Sequence, residues 1–189
     1  MSAAGDEPPP QIADFGALWE PLAGAVAAWA ALQTRGPLGR SVDADDLAQE
    51  VCFQVYRSLG SFDPARGAFR PWVFGVASRV ASSLLRKAAR IRARAGTVQR
   101  LASRADALPG DLTTLTRRIA RDEGLAQFVE RVQALPEDER QLLIYRGLEG
   151  LSHADVGELM GWTEAQASKR WQRLRDRLRD VPSVAALQD

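Results

Sequence analysis

Two helix-start signals stand eleven residues apart near the C-terminus, and together they leave that stretch few ways to fold. Ser152 is followed at the third position by Asp155, and Thr163 by Gln166. Each pair can form a capping box, in which side-chain oxygens satisfy the orphan amides of a starting helix. Gly161 supplies a left-handed stop between them. The first helix is expected to bury Val156, Leu159 and Met160. The second repeats apolar residues at Ala167, Trp171, Leu174 and Leu178, a helical spacing. The pattern predicts a helix-turn-helix. The opposite face of the second helix carries Gln166, Lys169 and Arg173, with Arg170 at the flank. Amide and guanidinium groups are what base edges and phosphates in a major groove require. A solvated helical hairpin is the plainer alternative, because capped helix pairs are common.

Charge divides the rest of the chain. The formal net charge is only +1 over 189 residues. Residues 1–63 hold 3 basic and 9 acidic side chains, residues 64–121 hold 13 and 2, and residues 122–189 hold 9 and 13. A concentrated basic middle suits a polyanion, and the acidic flanks suit a different partner. Arginine outnumbers lysine 23 to 2, which a GC-rich genome explains well enough. One cysteine, Cys52, excludes an internal disulfide and a thiolate metal cluster, and a lone His153 argues against zinc. No cofactor is expected. Residues 1–13 hold prolines and acids without a basic start or an apolar run, so they read as a disordered tail and not a signal peptide. No long apolar run marks a membrane span, and the cytoplasm is the expected compartment.

Strand alternation is almost absent, so the chain is expected to be all-α. Residues 14–32 form an apolar, alanine-rich helix with Phe15, Leu18, Trp19, Leu22, Val26 and Trp29. Residues 34–42 are a loop. Asp43 caps a helix to about Leu59, a second loop covers 60–68, and Pro71 sits in the first turn of a helix reaching Arg94. Residues 96–121 read as a linker. Residues 125–134 are amphipathic. Pro136 opens a further helix, with Glu137, Asp138 and Glu139 placed to meet its dipole, that ends near Gly147.

Two of these helices carry a second face. On the helix after Asp43, Leu47, Val51, Val55 and Leu59 make one side, while Asp46, Gln49, Glu50, Phe53 and Arg57 make the other. An aromatic ringed by polar groups is typical of a partner-binding surface. The alternative is that Phe53 packs on another helix of its own domain. Asp43, Asp45, Asp46 and Glu50 make a weak metal site, since capping and surface charge account for most of them. On the next helix, Val73, Ala77, Val80, Leu84, Ala88 and Ile91 face the core, and Trp72, Arg79, Ser83, Arg86 and Arg90 form a second stripe. A tryptophan aligned with arginines can stack a base and hold phosphates. The alternative is a core tryptophan beside a solvated basic face.

These segments together resemble a known family. Asp45-Asp46-Leu-Ala-Gln49-Glu50-Val-Cys-Phe53, then Phe62-Asp-Pro, Phe69-Arg-Pro-Trp72-Val-Phe-Gly-Val-Ala, Ala134-Leu-Pro-Glu-Asp-Glu-Arg and the helix-turn-helix follow the order and spacing of a bacterial extracytoplasmic-function sigma factor. The resemblance covers about two-thirds of the chain, and it is the conjunction of motifs that is specific. It implies two helical domains joined by a flexible linker. Residues 14–95 would be sigma region 2, which binds the β′ clamp helices of RNA polymerase core and opens the −10 element. Residues 122–180 would be region 4, which docks on the β flap and reads the −35 element, with a tail at 181–189. Asp46, Gln49, Glu50, Phe53 and Arg57 fall on the polymerase-contacting face. Trp72, Arg79, Ser83, Arg86 and Arg90 fall on the −10-reading element. Thr163, Gln166, Lys169, Arg170 and Arg173 fall on the −35 element. Family members usually carry asparagine where this chain has Arg79 and aspartate where it has Ser83. Many are held by an anti-sigma factor, which adds a candidate partner.

The sequence therefore points to a promoter-directing factor without catalytic residues of its own. A helix-turn-helix regulator that binds DNA without polymerase is the runner-up, and the polar face of the helix after Asp43 is the feature such a regulator would not need. A small helical enzyme fails on inventory, for want of a nucleophile–base pair or a phosphate loop.

Overall fold

The computed structural model describes residues 15–95 and 123–179. The expected N-terminal tail, the linker over 96–121 and the C-terminal tail lie outside the described residues. All regular structure among those described is helical. The first half holds α1 (Phe15–Gln33), α2 (Ala44–Ser58) and α3 (Phe69–Ala95). The second holds α4 (Glu123–Gln133), α5 (Glu137–Leu142), α6 (His153–Met160) and α7 (Glu164–Arg177).

The most apolar helix is also the most enclosed. Every residue from Ala25 to Ala30 on α1 is buried, so its apolar surface runs all the way round. α2 and α3 pack on it from the first half of the chain, and α4 and the turn following α5 pack on it from the second. By length and composition α1 could cross a membrane, contrary to the expectation of no long apolar run, but most of it is buried inside the protein. Phe15 stacks on Trp19 at 5.6 Å, and Trp29 meets Phe74 edge-on at 6.1 Å. One continuous apolar core includes residues from both halves.

Caps form where side-chain chemistry asks for them. The Asp43 carboxylate accepts from Asp46 N at 2.9 Å to start α2. The loops expected around it contain short 3-10 turns at Pro37–Arg40, Leu59–Ser61 and Pro64–Arg66. α3 begins at Phe69, so Pro71 lies in its first turn, where a missing N–H goes unnoticed. α4 buries Leu125, Phe128, Val129 and Val132, an i, i+3, i+4, i+7 stripe. Its exposed end is secured by Arg140, whose Nη1 donates to the carbonyl of Gln133 at 3.1 Å. α5 does not stop near Gly147 as an ordinary helix. It widens into a π-helical turn over Leu143–Leu148, with Glu149 N donating to Ile144 O at 2.9 Å.

The helix-turn-helix has both capping boxes, at Ser152–Asp155 and Thr163–Gln166, and Gly161 lies at φ 70° between them. Ala167, Trp171, Leu174 and Leu178 are all buried. One expectation fails: Leu159 is 60% exposed. The buried face of α6 centres between Val156 and Gly157, and Leu159 lies about 110° from that line at 100° per residue. Gly157 takes the packing position because a Cβ there would lie 2.7 Å from the Trp162 carbonyl oxygen. Met160 is half-buried.

Candidate protein and nucleic-acid interfaces

The acidic face of α2 is narrower than its helical wheel suggests. Gln49 is 3% exposed and Phe53 7%, so both lie inside the fold and not at the centre of an open patch. The cause is that α2 packs against α1 and against α3, and its buried zone wraps wider than one stripe. Phe53 joins the common core, and the Arg57 guanidinium lies over its ring at 5.5 Å. What reaches the surface is a stripe of Asp46, Glu50, Gln54 and Arg57. Gln54 Nε2 donates to Glu50 Oε1 at 2.9 Å, which fixes that carboxylate along the helix.

The stripe on α3 is largely open. Arg79, Ser83, Arg86 and Arg90 are exposed. Trp72 is half-buried in an aromatic group that sequence reading did not assemble: it stacks on Phe69 at 5.6 Å and meets Phe62 at 5.3 Å. Both partners stood in the Phe62-Asp-Pro and Phe69-Arg-Pro-Trp72 segments, but only the short turn between them brings the rings together. Asp63 caps that turn, accepting from Ala65 N at 3.0 Å. Arg79 and Ser83 share a cleft of about 320 Å³ with Glu50, Gln54 and Ser58 of α2. Two sites read separately from the sequence are thus walls of one groove.

On α7, the division of labour among the polar residues follows from their neighbours. The Thr163 hydroxyl accepts from Gln166 N at 3.2 Å, and Thr163 N donates to Gln166 Oε1 at 2.9 Å, so the Gln166 amide is held at the helix start. Lys169 and Arg173 point outward. Arg170 is tied inward: its guanidinium lies 4.3 Å over the Trp162 ring and donates to Asp138 at 3.2 Å. Arg177 forms an ion pair with Glu139. The first turn of α5 therefore does more than meet its own helix dipole. Its carboxylates anchor α7, along a cleft of about 400 Å³ that Arg173 also borders.

A third polar cluster was not anticipated. Glu149, after the π turn, accepts from Trp29 Nε1 at 3.0 Å. Burial pushes its carboxyl up to about 7, against the opposing effect of the indole hydrogen bond. Nearby, burial and the Arg146 charge lower the pKa of His153, despite Glu164. Among the described residues no group of three or more His, Cys, Asp or Glu could hold a metal ion.

Comparison with known proteins decides what these faces belong to. The family model for Sigma-70 region 2 matches residues 19–91, and that for Sigma-70, region 4 matches residues 125–178. The chain belongs to the sigma-70 family. Its relatives place it in the extracytoplasmic-function branch. ECF RNA polymerase sigma factor SigE of Mycolicibacterium smegmatis is 29% identical over 143 residues, 75% of this chain and 52% of that one. RNA polymerase sigma-H factor of Pseudomonas aeruginosa is 36% identical over 125 residues, 62% of each. RNA polymerase sigma factor CarQ of Myxococcus xanthus is 29% identical over 138 residues, 73% of this chain and 74% of that one. The match thus spans between half and two-thirds of the first two relatives. In this sigma factor, α1 to α3 are the described part of region 2, and α4 to α7 make up region 4.

Proposed function

We propose that this sigma factor binds RNA polymerase core and directs it to promoters, with region 2 reading the −10 element and region 4 the −35 element. The observation that carries the reading is the presence of both regions in order, each with a polar helix face open to a partner. Asp46, Glu50 and Arg57 on α2 are the surface for the β′ clamp helices, and Gln49 and Phe53 support it from beneath. Region 4 docks on the β flap. Arg86 and Arg90 neutralise the phosphates of an opening strand, while Trp72, Arg79 and Ser83 meet its bases. Gln166 and Lys169 read base edges in the −35 major groove, and Arg173 contacts phosphate. Thr163 and Arg170 hold the recognition helix in place. Polymerase performs the chemistry, so the factor is not an enzyme, needs no cofactor and acts in the cytoplasm. Run-off transcription with core polymerase and a promoter library tests this. Initiation from a defined subset of promoters is expected. Duplex binding without initiation on any promoter would make the chain a plain helix-turn-helix regulator.

A further inference from the structure

The arginines of α7 share the side of the helix that carries Gln166. At 100° per residue, Gln166, Arg170, Arg173 and Arg177 fall within about 60° of one another, with Lys169 at their border. Two of these cations are drawn sideways to carboxylates of α5. Arg177 meets Glu139 as a fork, Nη1 donating to Oε1 at 3.0 Å and Nη2 donating to Oε2. Arg170 Nη1 donates to Asp138 Oδ2 at 3.2 Å, while its guanidinium rests on the Trp162 ring. The two arginine side chains are 49% and 55% exposed, so a phosphate can reach both. Leu142 and Leu174, both buried, line the same cleft. Apolar packing therefore fastens α7 to α5 alongside the charges, and exposed ion pairs add little to it.

We infer that Asp138 and Glu139 are built-in competitors for DNA phosphate. They hold Arg170 and Arg177 off the DNA backbone, and so set how tightly, and how steeply with salt, region 4 binds a duplex. The inference rests on the sigma-factor reading above, which brings α7 into the major groove. Each cation that neutralises a phosphate releases a counterion and adds about 0.9 to the logarithmic salt slope. An arginine already paired with a carboxylate must first give up that partner, and the carboxylate left behind then faces the polyanion. Of the cations on this face, that leaves Arg173 for the backbone and Lys169 for base edges. Phosphate contacts carry no sequence information, so the two acids lower affinity for every duplex alike. Non-specific sites are in vast excess in a genome, and weak binding to them leaves more of the factor free for polymerase.

The test is binding of the full chain, assembled with core polymerase, to a short duplex carrying the −35 element and to a scrambled one, from about 50 to about 200 mM salt. Asp138→Asn with Glu139→Gln keeps both side-chain shapes, and Glu137 still offers a carboxylate to the first turn of α5. The double variant should bind both duplexes about tenfold or more tightly at the low-salt end. Its slope should steepen by about two ions, so the gain should shrink roughly tenfold by the high-salt end. Adding Arg177→Gln to Glu139→Gln alone should restore wild-type affinity and slope, since the freed cation is then gone. Glu130→Gln removes an exposed acid outside this cleft and should change neither. Weaker or unchanged binding by a double variant with normal circular dichroism overturns the inference and makes the pairs structural. So does a gain confined to the −35 duplex, a gain that survives Arg177→Gln, or an equal gain in Glu130→Gln. Should the double variant misfold, the two single substitutions decide the matter, each expected to add about one ion. A wild-type chain that binds no core, or prefers no −35 sequence over the scrambled duplex, fails the sigma-factor reading itself, and the inference falls with it.

Discussion

Glu149 offers a measurement in which one atom's chemistry reports on the packing between α1 and the turn following α5. Its carboxyl is moved from an ordinary 4.5 to about 7 by burial. At ~1.4 kcal/mol per pH unit, ionising the buried group costs about 3 kcal/mol. Below pH 4.5 the carboxyl is neutral whether the chain is folded or not, and the contribution to stability is fully present. It is lost as pH rises through 7, where the folded protein must hold a buried charge. Glu149→Gln removes the charge and keeps an oxygen for the Trp29 indole. It should leave stability unchanged near pH 4.5 and raise it by about 3 kcal/mol at pH 8.5, roughly 6–12 °C in Tm for a chain of this size. Urea unfolding of both proteins at the two pH values measures this, and subtracting one from the other cancels every other titrating group. A difference that does not grow with pH, or a glutamine variant less stable at pH 8.5, would refute the assignment of Glu149 to a buried site.

Other substitutions separate interface from scaffold. Glu50→Lys should weaken core polymerase binding with the fold intact, whereas Phe53→Ala should lower unfolding free energy by about 3 kcal/mol, as a buried aromatic does; a stable Phe53→Ala protein in urea melts would contradict its burial. Gly157→Ala forces a methyl against the Trp162 carbonyl and should destabilise the helix-turn-helix by about 2 kcal/mol, seen as an earlier unfolding transition. Arg173→Ala should weaken duplex binding on every sequence and reduce the salt slope by about one ion, while Gln166→Ala should change sequence preference more than affinity; identical behaviour on a sequence panel would cancel that division. Arg79→Asn should shift the −10 sequences recovered from the promoter library with little change in core binding, because a guanidinium and a short amide offer bases different donors. Unchanged promoters with a lowered Tm would make Arg79 structural.

The parts of this molecule that were legible in its sequence are those set by near neighbours. Ser152, Thr163 and Gly161 act within a few residues, so caps and stop could be read directly. The apolar spacing of α7 likewise needed no knowledge of the rest of the fold. Phe53 and Leu159 show where such reading ends. A helical wheel shows which residues share a side, but not how many neighbours the helix will have. α2 has two and buries a face that looked free, while α6 leaves a leucine outside because a glycine makes the closer approach. Arg170 and Asp138 stand 32 residues apart, and Trp29 and Glu149 stand 120 apart. No local period announces such pairs. The apolar excess of α1 was visible, but not that it serves two regions at once.

The widened turn between Leu143 and Leu148 has a bearing on how chains of this kind can vary. A π turn holds one residue more than the α turn it replaces, so it works as a counted insertion within an otherwise continuous rod. Each residue added to or taken from an α-helix rotates everything beyond it by about 100°. Here the extra count directs Glu149 and the Leu148 carbonyl toward Trp29 and Arg70. Losing one residue from this turn would leave the helix-turn-helix sequence untouched and swing those contacts away from α1. A single-codon deletion, far from any base-reading side chain, could thus reset how the two regions of this factor meet while leaving what each region recognises unaltered.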